Sequence, residues 1–151
     1  MAKYGVFGAA GAASATAATA GIMLVDNAAT VLATPKIYEF SIGPGAAAED
    51  SNYTIEVKRQ TTRGTWTSVT PSPLDPASAA SKSTAGRVST AAGSAGVQLL
   101  TLGFNQRGGI RWVAVPGGEL VVDRANSNGI MLGYIVVAGT AVNYASMLFE
   151  E

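Results

Sequence analysis

The acidic residues are the side chains of this sequence that could carry out hydrolysis, because it contains no His and no Cys. Without those residue types, a hydrolase needs a pair of carboxylates or a Ser-Lys arrangement. Ser81-Lys82-Ser83 lacks the Ser-x-x-Lys spacing of the serine acyl enzymes. Charged side chains on strands normally face solvent, so we expect no enzyme and rank a carboxylate-dependent hydrolase third among our hypotheses. Its candidate acids are those on or beside predicted strands: Glu39, Glu56, Glu119 and Asp123.

The composition also argues against cofactors, metals and charged partners. Because the sequence has no Cys and no His, it can form no disulfide, no thiolate nucleophile and no zinc site of the usual ligand type. Glycines near residues 8 and 43 lack the strand and helix context of a phosphate cradle. Ten basic and ten acidic residues cancel, so we expect no nucleic-acid or membrane partner. No run of 18 strongly apolar residues occurs, so no membrane-spanning helix is expected.

Strand-like alternation begins at Lys36. One expected face carries Tyr38, Phe40 and Ile42, and the other carries Ile37, Glu39 and Ser41. A second strand has Tyr53, Ile55 and Val57 on its buried face, and a third, residues 65–70, carries Trp66. We expect these three strands to form a meander.

Prolines 71, 73 and 76 interrupt this pattern, since proline lacks the backbone N–H that a strand ladder needs. Asp75 and Pro76 are suited to begin one helical turn, as N-cap and first residue. Residues 82–96 are mostly Ser, Thr, Ala and Gly, which indicates a long loop or a weak edge strand. Five further strands follow, separated by Gly-rich turns, at residues 97–102, 110–115, 119–122, 130–137 and 141–149.

About eight closely spaced strands without a convincing helix predict an all-β fold, an antiparallel β-sandwich of jelly-roll type. An immunoglobulin-like sandwich is the alternative. Residues 36–151 are expected to form this domain. Residues 1–35 are expected to form an N-terminal arm, extended or partly disordered, because their Gly, Ala, Ser and Thr side chains give no apolar stripe at helical spacing.

Because the usual catalytic residue types are absent, we expect the surface of the protein to function in binding. Lys58, Arg59 and Arg63 form a small basic cluster near Trp66, which suits a contact at the rim of an interface or, more simply, a solvated hairpin end. Trp112, in phase with Ile110, is expected in the core, whereas the position of Trp66 is left open. The predicted interface residues are Tyr4, Phe7, Arg63, Trp66, Pro71, Pro73 and Arg87.

Five segments resemble small structural proteins of tailed bacteriophages. They are Lys36-Ile-Tyr-Glu-Phe, Thr70-Pro-Ser-Pro-Leu-Asp-Pro-Ala, Leu102-Gly-Phe-Asn-Gln-Arg, Arg111-Trp-Val-Ala-Val-Pro-Gly-Gly-Glu-Leu and Asn128-Gly-Ile. The resemblance is to head decoration, or cement, proteins and covers residues 36–151. It implies a β-rich homo-oligomer, with a trimer favoured, that clamps the major capsid protein from outside. On this resemblance we expect capsid contacts on the N-terminal arm and on residues 71–96, and contacts between subunits on the sides of the sandwich. It also implies synthesis in the host cytoplasm and a final place on the capsid exterior.

Two hypotheses therefore lead. The first is a decoration protein that binds and stabilises a phage capsid without catalysis. The second is a receptor-binding or carbohydrate-binding module of a phage tail or fibre. Both are common on sandwich folds, so the fold alone does not separate them.

Overall fold

The structure is a computed structural model, and it describes residues 1–12, 21–27, 33–91, 93–125, 128–137 and 142–151. Every regular element within these residues is a β-strand. The strands are β1 (Lys3–Ala12), β2 (Gly21–Asn27), β3 (Lys36–Pro44), β4 (Asn52–Gln60), β5 (Thr65–Val69), β6 (Ser72–Pro73), β7 (Ser83–Ala91), β8 (Ala95–Asn105), β9 (Ile110–Val113), β10 (Leu120–Val121), β11 (Gly129–Val137) and β12 (Val142–Glu150).

The strands form two antiparallel sheets, which confirms the predicted β-sandwich. Sheet 1 has the order β6, β1, β12, β3, and both β9 and β10 pair with the far side of β3. Sheet 2 has the order β5, β7, β2, β11, β4, β8. Across the sandwich, β1 contacts β7 and β2, and β12 contacts β2. Strands β8 and β9 therefore lie on the same flank of the molecule.

The pairing of the strands is nested along the chain. Strand β1 pairs with β12, β2 with β11, β3 with β9 and β4 with β8. Strands near the start of the chain thus pair with strands near its end, so most of the sheet contacts join residues far apart in the sequence. The first and last strands lie side by side, where Tyr4 stacks on Phe149 with 5.5 Å between ring centroids.

The core lies between the sheets and is built from alternate residues of each strand. The predicted buried face of β4 is confirmed, since Tyr53, Ile55 and Val57 are all buried. In β3 the prediction holds for Phe40 and Ile42 but fails at the strand's start, where Ile37 is buried and Tyr38 only half-buried. The cause is a β-bulge: Leu148 pairs with Glu39 but Phe149 pairs with Ile37, so Tyr38 is an extra residue that shifts the alternation.

Strands β1 and β2 differ from the expected N-terminal arm, because both lie inside the sheets. Tyr4 and Val6 point into the core, while β2 is buried along its whole length between β7 and β11. The sandwich therefore begins at residue 3 and not at residue 36. Small residues make this possible by leaving room for large neighbours, as at Gly21 beneath Trp66. The remainder of the predicted arm, residues 13–20 and 28–32, lies outside the described residues.

A second apolar layer on the outer face of sheet 2 explains why β2 is buried on both sides. The indole of Trp66 covers Leu24 and Met131, so Trp66 is buried. A Cβ atom on Gly86 would lie only 2.6 Å from the Cβ of Trp66, so glycine is required for this close packing.

Residues 82–96 are also more regular than expected. Strand β7 is an internal strand between β5 and β2, and its small residues are needed because Gly86 lies under Trp66 and Ala85 lies in the core. The expected meander of β3, β4 and β5 is wrong: β3 belongs to sheet 1, and β5 pairs with β7. In place of a helical turn, Asp75 caps a turn by accepting the backbone N–H of Ala77 at 2.9 Å.

Candidate interaction surface

The outer face of sheet 1 exposes a cluster of large apolar side chains at its centre. Phe7 on β1 is 51% exposed and Tyr144 on β12 is 55% exposed, while Leu148 is half-buried. Phe7 lies opposite Ser146, which places Tyr144 and Leu148 diagonally on either side of it. We call Phe7, Tyr144 and Leu148 the Phe7 patch.

The glycine at position 5 fixes the position of the Phe7 ring. A Cβ atom on Gly5 would lie 2.3 Å from Cζ of Phe7 and 3.1 Å from Cδ2 of Leu148. The outer end of the ring therefore lies over the glycine backbone and beside the leucine. This packing limits the positions open to the side chain, so a partner that covers it takes away less side-chain entropy.

Paired polar groups lie between the members of the Phe7 patch and along its β3 side. Ser146 and Ser41 share a hydroxyl hydrogen bond of 2.7 Å. On the next strands, Arg111 donates two hydrogen bonds to the carboxylate of Glu39, at 2.7 and 2.9 Å. The hydrogen bonds from Arg111 hold the pKa of Glu39 below its usual value. An apolar centre with a hydrogen-bonded polar rim is the usual anatomy of a protein-binding surface.

Of the predicted interface residues, Phe7 is the one that belongs to this patch. Tyr4 lies on the opposite face of β1, where it is 3% exposed and its hydroxyl donates to the carbonyl of Ala79 at 3.0 Å. Pro71 is buried. Pro73 is exposed but pairs with Tyr4 at the edge of sheet 1.

Arg63 and Trp66 do come together, but within the fold of the chain. The Nε1 atom of Trp66 donates to the carbonyl of Arg63 at 2.6 Å. The guanidinium of Arg63 binds the buried carboxylate of Asp26, so its charge is already paired. Arg87 is half-buried, and its side chain crosses from sheet 2 to the backbone of Gly8. These residues stabilise the sandwich from within.

The sequence predicts the strand that carries Tyr144 and Leu148 but marks neither as a surface residue. Asn143, Ala145 and Met147 alternate with them and are buried. Alternation alone marks two faces, and the presence of a tyrosine and a leucine on one of them does not show which face is outward. That assignment follows from the pairing of β12 between β1 and β3.

The acidic residues considered for hydrolysis have separate structural partners. Glu39 pairs with Arg111 on sheet 1, whereas Glu56 pairs with Lys58 on sheet 2. Asp123 accepts a hydrogen bond from the side chain of Asn128 at 2.9 Å, and Glu119 accepts the backbone N–H of Gly117 at 3.1 Å. In the described part of the chain, no cluster of three or more acidic side chains could hold a metal ion.

A cleft of about 500 Å³ lies at the end of the sandwich where the first and last strands meet. Lys36, Lys82 and Arg124 contribute positive charge to its lining. Glu151 also lines it, and its carboxylate accepts hydrogen bonds from the hydroxyl of Ser83 at 2.6 Å and from the backbone of Lys82. The carboxylate partly neutralises the cations and joins the last strand to β7.

A scan against protein-family models finds no matching family, and searches of the curated proteins and of the solved structures find no match. Across the described residues, no helix is long and apolar enough to cross a membrane.

Proposed function

We propose that this chain is a non-enzymatic structural protein of a phage virion, and that it binds and stabilises the capsid surface through the Phe7 patch. The observation that carries the proposal is the position of Phe7, more than half exposed and packed over Gly5 on the outer face of sheet 1. Single exposed apolar residues are ordinary, but two aromatic side chains and a leucine at diagonal positions on one sheet face favour a protein partner.

The nested strand order supports this proposal. We interpret β1-β12-β3-β9 and β2-β11-β4-β8 as the two four-stranded sheets of a jelly roll, with β5, β6 and β7 inserted between β4 and β8. Jelly rolls occur in viral capsid proteins and in lectins, so this interpretation is compatible with both leading hypotheses. The resemblance of residues 36–151 to phage decoration proteins favours the first.

The proposed partner is the major capsid protein. After its synthesis in the host cytoplasm, this chain would bind that partner on the exterior of the particle. A capsid presents many copies of one site, so a protein that is itself a homo-oligomer binds several copies at once. Each single contact then needs only modest affinity. The zero formal net charge of the chain keeps repulsion between neighbouring bound copies low.

Binding to capsids tests the role of the Phe7 patch. The probe is a purified capsid of the phage that encodes the chain, stripped of this protein, and the assay is co-sedimentation. The double variant Phe7→Ser/Tyr144→Ser should lose at least about tenfold in affinity, since buried aromatic anchors dominate interfaces. Val97→Ser is the matched control, because Val97 is 68% exposed on sheet 2. Equal binding by both variants would contradict the proposed surface.

Copy number in purified virions tests the role itself. A decoration protein should be present at hundreds of copies, close to the number of major capsid subunits. A count typical of a tail component, together with binding of the chain to glycans of the host surface, would support the receptor-binding or carbohydrate-binding alternative.

A further inference from the structure

Strand β8 forms one edge of sheet 2 and is eleven residues long. Within the described part of the chain it pairs with β4 alone. The backbone N–H and C=O groups on its other side therefore have no strand of the described residues beside them. An edge of this kind is a template for another strand.

The end of β8 nearest β9 is regular enough to accept such a strand. Residues 100–105 pair one-to-one with residues 52–57, from Leu100 opposite Val57 to Asn105 opposite Asn52. The two irregularities in this pairing are confined to the other end of β8, before Leu100. Bulges discourage pairing, so the six regular residues are the part of the edge that remains open.

No residue of β8 carries the features by which soluble proteins protect their edges. Residues 95–105 contain no charged residue and no proline. The other described edge strands are protected: β6 contains Pro73 and has two residues, β10 also has two, β9 carries Arg111, and β5 is short and twice interrupted in its pairing with β7.

The core is also incompletely covered along this flank. Seven apolar side chains on β8, β9 and β10 pack against the core but are only partly buried: Leu99, Leu100, Leu102, Phe104, Ile110, Trp112 and Leu120. The expected burial of Trp112 is thus reached only in part, although its ring stacks on Phe40 with 5.1 Å between centroids. A neighbour placed at this flank would complete the covering of the core.

We propose that the neighbour is a second copy of this chain, whose β8 pairs antiparallel with β8 of the first. Two identical strands related by a two-fold axis need no second complementary surface. Like charges placed opposite each other would oppose such pairing, and β8 has none. In an antiparallel pair, residues that lie opposite each other point to the same sheet face. A two-fold axis between two copies of β8 must therefore pass through a residue and not between two residues. The residues at the middle of the open segment are Leu102 and Gly103. The inference does not depend on the proposed capsid role.

Disulfide trapping tests this pairing directly, because the natural chain has no Cys. In Thr101→Cys/Gly103→Cys, an axis at Leu102 places the thiol at position 101 opposite the thiol at position 103 of the other copy. An axis at Gly103 brings the two thiols at position 103 together. A Cβ on Gly103 would meet nothing nearer than 3.9 Å, so the variant should fold. Mild oxidation should give a covalent dimer. The control Thr65→Cys/Thr67→Cys, exposed on β5 at the other edge of sheet 2, should form no covalent dimer.

Light scattering and sedimentation supply the second measurement. The unmodified chain should have twice the mass of one chain, and Thr101→Lys should raise the dissociation constant of the dimer at least about tenfold by placing like charges near each other. The control Thr65→Lys should leave it unchanged. A single-chain mass, or a trimer that Thr101→Lys does not affect, would overturn the inference. So would equal cross-linking of both cysteine pairs. Circular dichroism of each variant shows that it is folded.

Discussion

Arg63 donates hydrogen bonds from one guanidinium nitrogen to both carboxylate oxygens of Asp26, at 2.8 and 2.9 Å. The carboxylate is buried in sheet 2, and it also accepts the hydroxyl of Thr84 at 2.7 Å. The arginine comes from the turn between β4 and β5, so the ion pair fixes that turn against β2 and β7. Its backbone carbonyl in turn accepts the indole N–H of Trp66, which keeps the Trp66 ring over Leu24.

Removal of the arginine should therefore destabilise the fold. We expect Arg63→Ala to lower the free energy of unfolding by about 3 kcal/mol, because it leaves the buried carboxylate without its cation. Denaturant unfolding at neutral pH measures the change. Arg111→Ala is the control, since Arg111 forms a comparable pair with Glu39 but is mostly exposed, and its loss should cost much less than the loss of Arg63. Equal losses would contradict the importance assigned to burial.

The shifted pKa of Asp26 makes the stability of the fold depend on pH. Burial raises the pKa of its carboxyl above the usual value, and the hydrogen bonds from Thr84 and Arg63 offset this only in part. The folded chain thus holds this proton more tightly than the unfolded chain, whose Asp titrates near pH ~4. The contribution of Asp26 to the free energy of unfolding therefore increases as the pH falls from above the folded pKa towards pH ~4.

The variant Asp26→Asn removes that titration. The free energy of unfolding of the wild type minus that of the variant should therefore increase as the pH falls from 7 to ~4, because the wild type alone gains stability from protonation of Asp26. A difference that decreases over this range would mean that the pKa of Asp26 is lowered in the folded state.

Gly86 provides a test of the Trp66 layer. An alanine there brings its Cβ within 2.6 Å of the Cβ of Trp66, which lies close to the backbone and cannot swing away. We expect Gly86→Ala to destabilise by roughly 1–3 kcal/mol, the usual cost of overpacking. Gly103→Ala in β8 is the matched control, because its Cβ would have only an ordinary contact with the backbone oxygen of Tyr53 at 3.9 Å, and its effect should stay within about 0.5 kcal/mol. Thermal unfolding of both variants separates the two outcomes.

The sequence alone could predict the strands whose apolar residues alternate cleanly, such as β4 with Tyr53, Ile55 and Val57. It could not predict β1 and β2 as sheet strands, because Gly and Ala dilute the pattern in β1 and a continuous apolar run hides it in β2. The reason that β2 is apolar throughout lies far along the chain, in Trp66, which covers its second face. Tertiary contacts of this kind leave no local signal.

The interaction surface could be predicted only in part, for a related reason. Phe7 could be singled out as a large apolar residue among small ones. Tyr144 and Leu148 could not, since the outward face of β12 depends on which strands flank it. A basic cluster beside an aromatic residue often marks a surface contact, and on that ground the sequence predicts one at Arg63 and Trp66. The buried partner of Arg63 is instead Asp26, 37 positions away.

A buried polar network at the other end of the sandwich gives the last prediction. Asn143 donates to the hydroxyl of Tyr134 at 2.7 Å and accepts from Gln106 at 3.1 Å. Burial raises the pKa of Tyr134 to about 12, although the bond from Asn143 opposes the shift. The unfolded chain releases this proton near pH ~10, so stability from Tyr134 is complete below pH ~10 and is lost as the pH rises through the folded pKa.

This loss should reach roughly 2–3 kcal/mol near the folded pKa, by the relation between a pKa shift and free energy. Tyr134→Phe should remove that part of the alkaline dependence. At neutral pH it should cost about 1–3 kcal/mol, because the Asn143 amide is left buried without an acceptor. Ultraviolet titration of phenolate in both proteins, with unfolding measured alongside, checks this. The control is Tyr144→Phe, an exposed change on β12 in the other sheet, which should leave the alkaline loss of stability intact. If the Tyr134→Phe protein loses stability above pH ~10 as steeply as the wild type, Tyr134 is not the group whose ionisation weakens the fold.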